Sequence, residues 1–168
     1  MSLLYRPRYW FLFVALACAG MIAYALKVQH LDFLDPCPLC VLQRVAYMWI
    51  GGVALLAAIH NPAAAGRWVY GLGVILGGVA GLSIAGRHLW LQSLPADQVP
   101  DCGMGLNYML ETLPLTEVFS QLFYGAGECA EVTWSFLGLS MPGWTFIWYL
   151  AFTLGTIVVL WKPNVAKA

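Results

Sequence analysis

Two cysteines separated by two residues, Cys37-Pro38-Leu39-Cys40, are the part of this chain best suited to chemistry. A bond between them closes only a small loop and stabilises little by chain entropy, so the spacing suits reversible redox better than stapling. They open an apolar run that continues through Ile59. A helix N-terminus presents free N–H groups and partial positive charge, which favour the thiolate that performs exchange. Pro38 in the first turn sacrifices no helical hydrogen bond. Zinc is the competing use of C-x-x-C, but no second pair or histidine cluster completes a tetrahedral site, and no metal is expected.

Arg44 follows Cys40 by one helical turn and therefore lies on the same face. An arginine within a membrane span costs roughly 2.5–3.5 kcal/mol at the centre and less near the interface, so it marks function unless it snorkels to the headgroups. Cys40 gives this charge an anion to stabilise. Arg87 and His88 close the third apolar run. If that run packs antiparallel to the second, they come level with Arg44 and line a polar pocket able to hold the carbonyl oxygens of a lipid-soluble quinone. The alternative is that both are interfacial anchors. Cys102 and Cys129 lie in a long segment beyond that run. As a staple, a bond between them would contribute about 3 kcal/mol. Four such cysteines allow three pairings, and the spacing alone does not choose among them. Cys18, mid-run in apolar surroundings, reads as a small buried hydrophobe.

These residues need elements to hold them, and composition dictates which kind. Of 168 residues 61% are hydrophobic and 10% charged, too apolar for a soluble domain of this size. A bilayer takes roughly 20 apolar residues per helix, and four runs qualify, at about 9–26, 41–59, 68–91 and 143–161. The expected fold is all-α: a single integral membrane four-helix bundle. Arg6 and Arg8 before an apolar run resemble a signal sequence, but the run continues to Leu26, long enough to span.

Arg6, Arg8, Arg67, Lys162 and Lys167 fall on one side of these runs with no acid. All eight acids fall on the other, in segments 27–36 and 92–142, where Lys27 is the one basic loop residue. By the positive-inside rule both termini are cytoplasmic and both cysteine pairs face the periplasm, where disulfides persist. His60-Asn61-Pro62 makes a short inner turn. Gly73, Gly77 and Gly81 form a small-residue stripe for close helix packing. Segment 92–142 is too long for a bare turn. Within it Val118, Phe119, Leu122 and Phe123, after Thr116 and Glu117, predict a short helix on the membrane surface. Trp134, Trp144, Trp148 and Tyr149 read as an interfacial belt and packing.

Four spans, an outer C-x-x-C followed by Gln43-Arg44, two further outer cysteines, and the stretch from Trp134 to Pro142 before the last span together resemble the DsbB family of disulfide bond formation proteins. The resemblance covers essentially the whole chain, and its specificity lies in the combination. It implies a bacterial inner-membrane thiol oxidoreductase with Cys37, Cys40, Cys102 and Cys129 as redox residues. A reduced, soluble, DsbA-like thioredoxin-fold oxidase of the periplasm attacks Cys102 of a Cys102–Cys129 bond. The freed Cys129 then exchanges with the Cys37–Cys40 bond. Cys40, beside Arg44, passes electron density to a quinone, ubiquinone or menaquinone, drawn from the membrane pool. His88 stands where the family has its ring-contacting histidine. The family carries an acid or Gln before the arginine, so Gln43 argues against an acid/base role there.

Two other classes compete. A structural membrane protein would hold inert sulfurs, whereas a transporter using Arg44 and Arg87 would be expected to show intramembrane acids, and no Asp or Glu falls within any span. Quinone reductases of the vitamin K type share the logic but not this loop layout. No nucleic-acid patch is present.

Overall fold

The computed structural model describes residues 7–31, 36–95, 98, 114, 117, 129–132 and 134–161. Four helices dominate: α1 (Pro7–Leu31), α2 (Pro38–His60), α3 (Ala64–Gln92) and, after a small hairpin of β1 (Ser135–Phe136) and β2 (Leu139–Ser140), α4 (Met141–Trp161). All four are long and apolar enough to cross a membrane. Their outward faces carry Leu16, Ile59, Val69 and Leu76, each at least 60% exposed. Such a surface is at home against lipid tails and would drive aggregation in water.

The helices extend past the apolar runs that mark them. α1 continues through Lys27, Gln29 and His30 to Leu31, which shortens the loop expected over 27–36. Hydropathy locates the part that lies in lipid, whereas a helix ends where its backbone hydrogen bonds end. α2 opens on Cys37 as N-cap, with Pro38 in the first turn and the Cys37 sulfur accepting the Cys40 backbone N–H at 3.3 Å. It closes at Asn61, left-handed at φ 42, whose N–H donates to the Ala57 carbonyl at 3.0 Å before Pro62.

Packing follows the chain: α1 lies on α2, α2 on α3 and α3 on α4, while α1 and α4 touch sparingly. The core joins Phe11, Val14 and Cys18 of α1, Tyr47, Ile50 and Ala54 of α2, Val74 of α3, and Tyr149 and Phe152 of α4. The glycine stripe does what the spacing predicts. A Cβ on Gly73 would sit 3.1 Å from Val53 and one on Gly77 would sit 2.8 Å from Ile50, so α2 and α3 approach closely. Gly81 makes room instead for the Tyr149 ring of α4. Cys18 is buried against Gly51, as a small apolar residue.

The hairpin is absent from the purely helical expectation. Leu137 (φ 52) and Gly138 (φ 78) are both left-handed, the two-residue turn whose twist suits paired strands. It is tied down by the Trp144 indole N–H donating to the Phe136 carbonyl at 3.0 Å and the Ser140 hydroxyl donating to Gln92 at 2.8 Å. The expected surface helix around 116–123 lies outside the described residues, Glu117 excepted.

Candidate functional site

The N-cap position of α2 decides where Cys37 points. Its sulfur lies 2.8 Å from that of Cys40 and 3.9 Å from His88 Nε2 of α3. The sulfurs of Cys37 and Cys129 and a ring nitrogen of His88 all lie within 4.8 Å of one another. Cys129 is fully buried, packed with Leu39, Ile84 and Leu91 where the start of α2 lies beside the end of α3. Hydrogen bonding to Cys129, hydrogen bonding to Cys40, and burial, in that order, hold a Cys37 thiol above the ordinary thiol range. Cys102, and with it any Cys102–Cys129 pairing, lies outside the described residues.

His88 is 2% exposed and held from its far side, where Nδ1 meets the side-chain amide of Gln43 at 3.3 Å. Gln43 is in turn fixed by α4. The Thr145 hydroxyl meets its amide at 3.0 Å, and the Tyr149 hydroxyl donates to its backbone carbonyl at 2.7 Å. Tyr47 stacks on Tyr149 with ring centroids 4.3 Å apart and donates to the Thr145 carbonyl at 3.2 Å. Three helices thus clamp one imidazole, which removes its freedom to turn away from Cys37.

Arg44 shares the face of Cys40 but reaches sideways to α1, donating to the Gln29 side chain and to the Ala25 carbonyl at 3.3 Å. It lines a cavity of about 1110 Å³ between the Cys37 ends of α1, α2 and α4, with Cys37, Cys40 and His88 on its wall.

The fold therefore assembles Cys37, Cys40, Arg44 and His88 at one cavity and adds Cys129 behind them. Arg87 is separate: its guanidinium lies 4.3 Å over the Trp90 ring and does not line the cavity, because adjacent residues on a helix face different ways. Three tryptophans read as belt and packing, Trp134, Trp144 and Trp148, line the cavity. Gln29, Gln43 and Thr145 complete the polar wall, and the signal for them was an uncharged hydrogen-bonding side chain inside or beside an apolar run. Chemically, the arrangement can pass a disulfide from one sulfur pair to another beside a fixed imidazole and a cation.

The profile of the family described as "Disulfide bond formation protein DsbB" matches residues 7–159. Relatives named "Disulfide bond formation protein B" match over nearly their whole length. That of Nitrosococcus oceani is 54% identical over 145 residues, covering 86% of this chain and 84% of the relative. That of Marinobacter nauticus is 53% identical over 154 residues, covering 91% and 92%. That of Chromobacterium violaceum is 46% identical over 157 residues, covering 94% and 95%.

Proposed function

The chain belongs to the DsbB family of disulfide bond formation proteins, and from that premise we propose that it reoxidises a soluble DsbA-like thiol oxidase and delivers the electrons to a membrane quinone. As a multi-pass membrane thiol oxidoreductase it has two tasks, exchange at the aqueous face and electron delivery within the bilayer. The observation that carries the proposal is the Cys129–Cys37–Cys40 row of sulfurs ending at a cavity that holds Arg44.

The relay runs in four exchanges. A partner thiolate attacks the Cys102 sulfur, the Cys102–Cys129 bond breaks, and Cys129 leaves as a thiolate. The partner's second thiolate then displaces Cys102 and carries away the new disulfide. Cys129 attacks Cys37, which lies within reach, and Cys40 departs with the electron pair. Cys102 finally displaces Cys37 from Cys129, restoring the outer bond and leaving Cys37 and Cys40 reduced.

The cavity fits a quinone. Its volume holds a substituted ring, tryptophans supply flat apolar walls, Arg44 offers donors for a ring oxygen, and His88 lies on the same wall. The quinone, when bound, is the two-electron acceptor. Arg44 supplies positive charge beside Cys40 and orients a ring oxygen, while Gln29 and Ala25 hold the guanidinium in place. His88 accepts or returns the proton at Cys37 Sγ from a ring that Gln43 keeps fixed.

The orientation belongs to the same reading: inner membrane, both termini cytoplasmic, both cysteine-bearing loops periplasmic. The supporting observation is the charge asymmetry, with every acid on the side of the cysteines. Steady-state oxidation of a reduced thioredoxin-fold oxidase by purified protein, with and without a soluble quinone analogue, tests the proposal. Turnover should require the quinone.

A further inference from the structure

C-x-x-C read in isolation lacks partners for a metal, but the fold supplies them. Among the described residues, Cys37, Cys129 and His88 form the one group whose ligating atoms converge, and Cys40 Sγ is 2.8 Å from Cys37 Sγ. We propose that the reduced protein binds one soft divalent cation, Zn2+ by preference, through Cys37, Cys40, Cys129 and His88. Three sulfurs and one imidazole are a Zn2+ donor set, closed and tetrahedral.

The distances are near those required. Zn–S of about 2.3 Å and Zn–N of about 2.0–2.1 Å in a tetrahedron put neighbouring ligand atoms roughly 3.4–3.8 Å apart. His88 Nε2 stands 3.9 Å from Cys37 Sγ, and the Cys37–Cys129–His88 triangle is no wider than 4.8 Å. Cys40 stands outside that converging trio, so to complete the tetrahedron its sulfur must part from that of Cys37 by about 1 Å and turn toward Cys129 and His88, a side-chain rotation in the first turn of α2.

The histidine is set for the task by its neighbours. Thr145 Oγ1 lies 3.0 Å from one end of the Gln43 amide and 2.9 Å from the Pro142 carbonyl, yet a hydroxyl has one proton to donate. In the structure Gln43 Oε1 faces Thr145 and Nε2 faces His88 Nδ1; turning the amide end for end satisfies both Thr145 contacts, since the Gln43 NH2 then donates to Thr145 and the Thr145 hydroxyl donates to Pro142. The Gln43 oxygen then faces His88 and accepts Nδ1–H. That tautomer leaves the Nε2 lone pair directed at the sulfur cluster, the arrangement in which outer partners orient metal-binding histidines. With a neutral imidazole and three thiolates the bound ion carries a net charge of −1, and Arg44 lines the same cavity.

Binding moves no electrons: three S–H protons leave for solvent and three S–metal bonds form. The ion requires all three sulfurs reduced, so it is excluded while any of them is in a disulfide. That it would also stall the relay rests on the proposed function; the binding itself does not.

The test uses full-length protein in detergent, reduced by a phosphine and freed of it anaerobically, with Co2+ as spectroscopic stand-in for Zn2+. One Co2+ per chain should give thiolate-to-cobalt charge transfer and strong tetrahedral visible bands, displaced by Zn2+ and absent from the oxidised protein. Cys102→Ser should keep the spectrum, while Cys129→Ser and His88→Asn should each weaken binding at least tenfold. An unsubstituted protein provides a check independent of folding: Zn2+ should slow alkylation of Cys37, Cys40 and Cys129 but not of Cys102. A parent spectrum without charge transfer, or alkylation of Cys129 at the same rate with and without Zn2+, would overturn the proposal.

Discussion

The sulfur of Cys129 lies within 4.8 Å of the sulfur of Cys37, although most of the chain between them is spent on two membrane helices and a long loop. In sequence Cys129 stands far from both Cys37 and Arg44. The packing of Cys129 on Leu39, Ile84 and Leu91 places it instead directly behind the helix mouth.

That closeness has a chemical consequence. A Cys40→Ser, Cys102→Ser double variant leaves Cys37 and Cys129 as the one reachable pair of thiols, since Cys18 is buried mid-bundle. Mild oxidation should join them, visible as a Cys37–Cys129 cross-linked peptide on non-reducing mapping. Recovery of both cysteines fully alkylated would contradict the proximity.

Arg44→Gln should keep the fold and the Cys37–Cys40 bond. Losing the charge at the cavity should raise the apparent KM for a quinone analogue about tenfold, the equivalent of about 1.4 kcal/mol. Single-turnover thiol exchange with the soluble partner, measured without quinone, should change much less. Unaltered quinone kinetics would reduce Arg44 to a snorkelling side chain tied to Gln29 and Ala25.

Gly81→Ala probes the scaffold behind the site. The added Cβ would lie within 2.7 Å of three ring atoms of Tyr149, whose hydroxyl is committed to the Gln43 carbonyl. The ring cannot retreat without loosening Gln43, so overpacking should cost about 1–3 kcal/mol in denaturant unfolding. Cys18→Ala, at a buried position that does not itself line the cavity, should leave turnover unchanged.

Orientation is open to a reporter. A fusion near Asn107 should be active on the periplasmic side and silent in the cytoplasm, following the acids that surround it in sequence. A cytoplasmic signal would remove both cysteine pairs from the compartment the account requires.

The four helices, the turn at Asn61 and the placement of Cys37 and Cys40 together at a helix start were legible because each rests on local pattern: apolar length, a left-handed stop, spacing before an apolar run. Cys129 beside His88 was not, since nothing local records which loop residue folds back on which helix end. Gln43 illustrates the same limit. Its type argued only against acid/base chemistry, whereas its role as the clamp on His88 depends on Thr145 and Tyr149 from a helix at the other end of the chain. Arg87 and His88 looked equivalent as neighbours, and the rotation between successive helical residues sends one to Trp90 and the other to Cys37. The Leu137-Gly138 turn was hidden because leucine rarely adopts positive φ.

The central claim is that electrons pass in series from Cys129 through Cys37 and Cys40 to a quinone. Rapid anaerobic mixing of oxidised protein, preloaded with a quinone analogue, against excess reduced thioredoxin-fold oxidase tests it most directly, with quinone absorbance and partner thiols followed on one time base. The account predicts one quinone reduced per partner dithiol oxidised, and no quinone reduction in Cys129→Ser. Quinone loss at the parental rate in Cys129→Ser, or partner oxidation that continues in the parent with quinone absorbance unchanged, would contradict it.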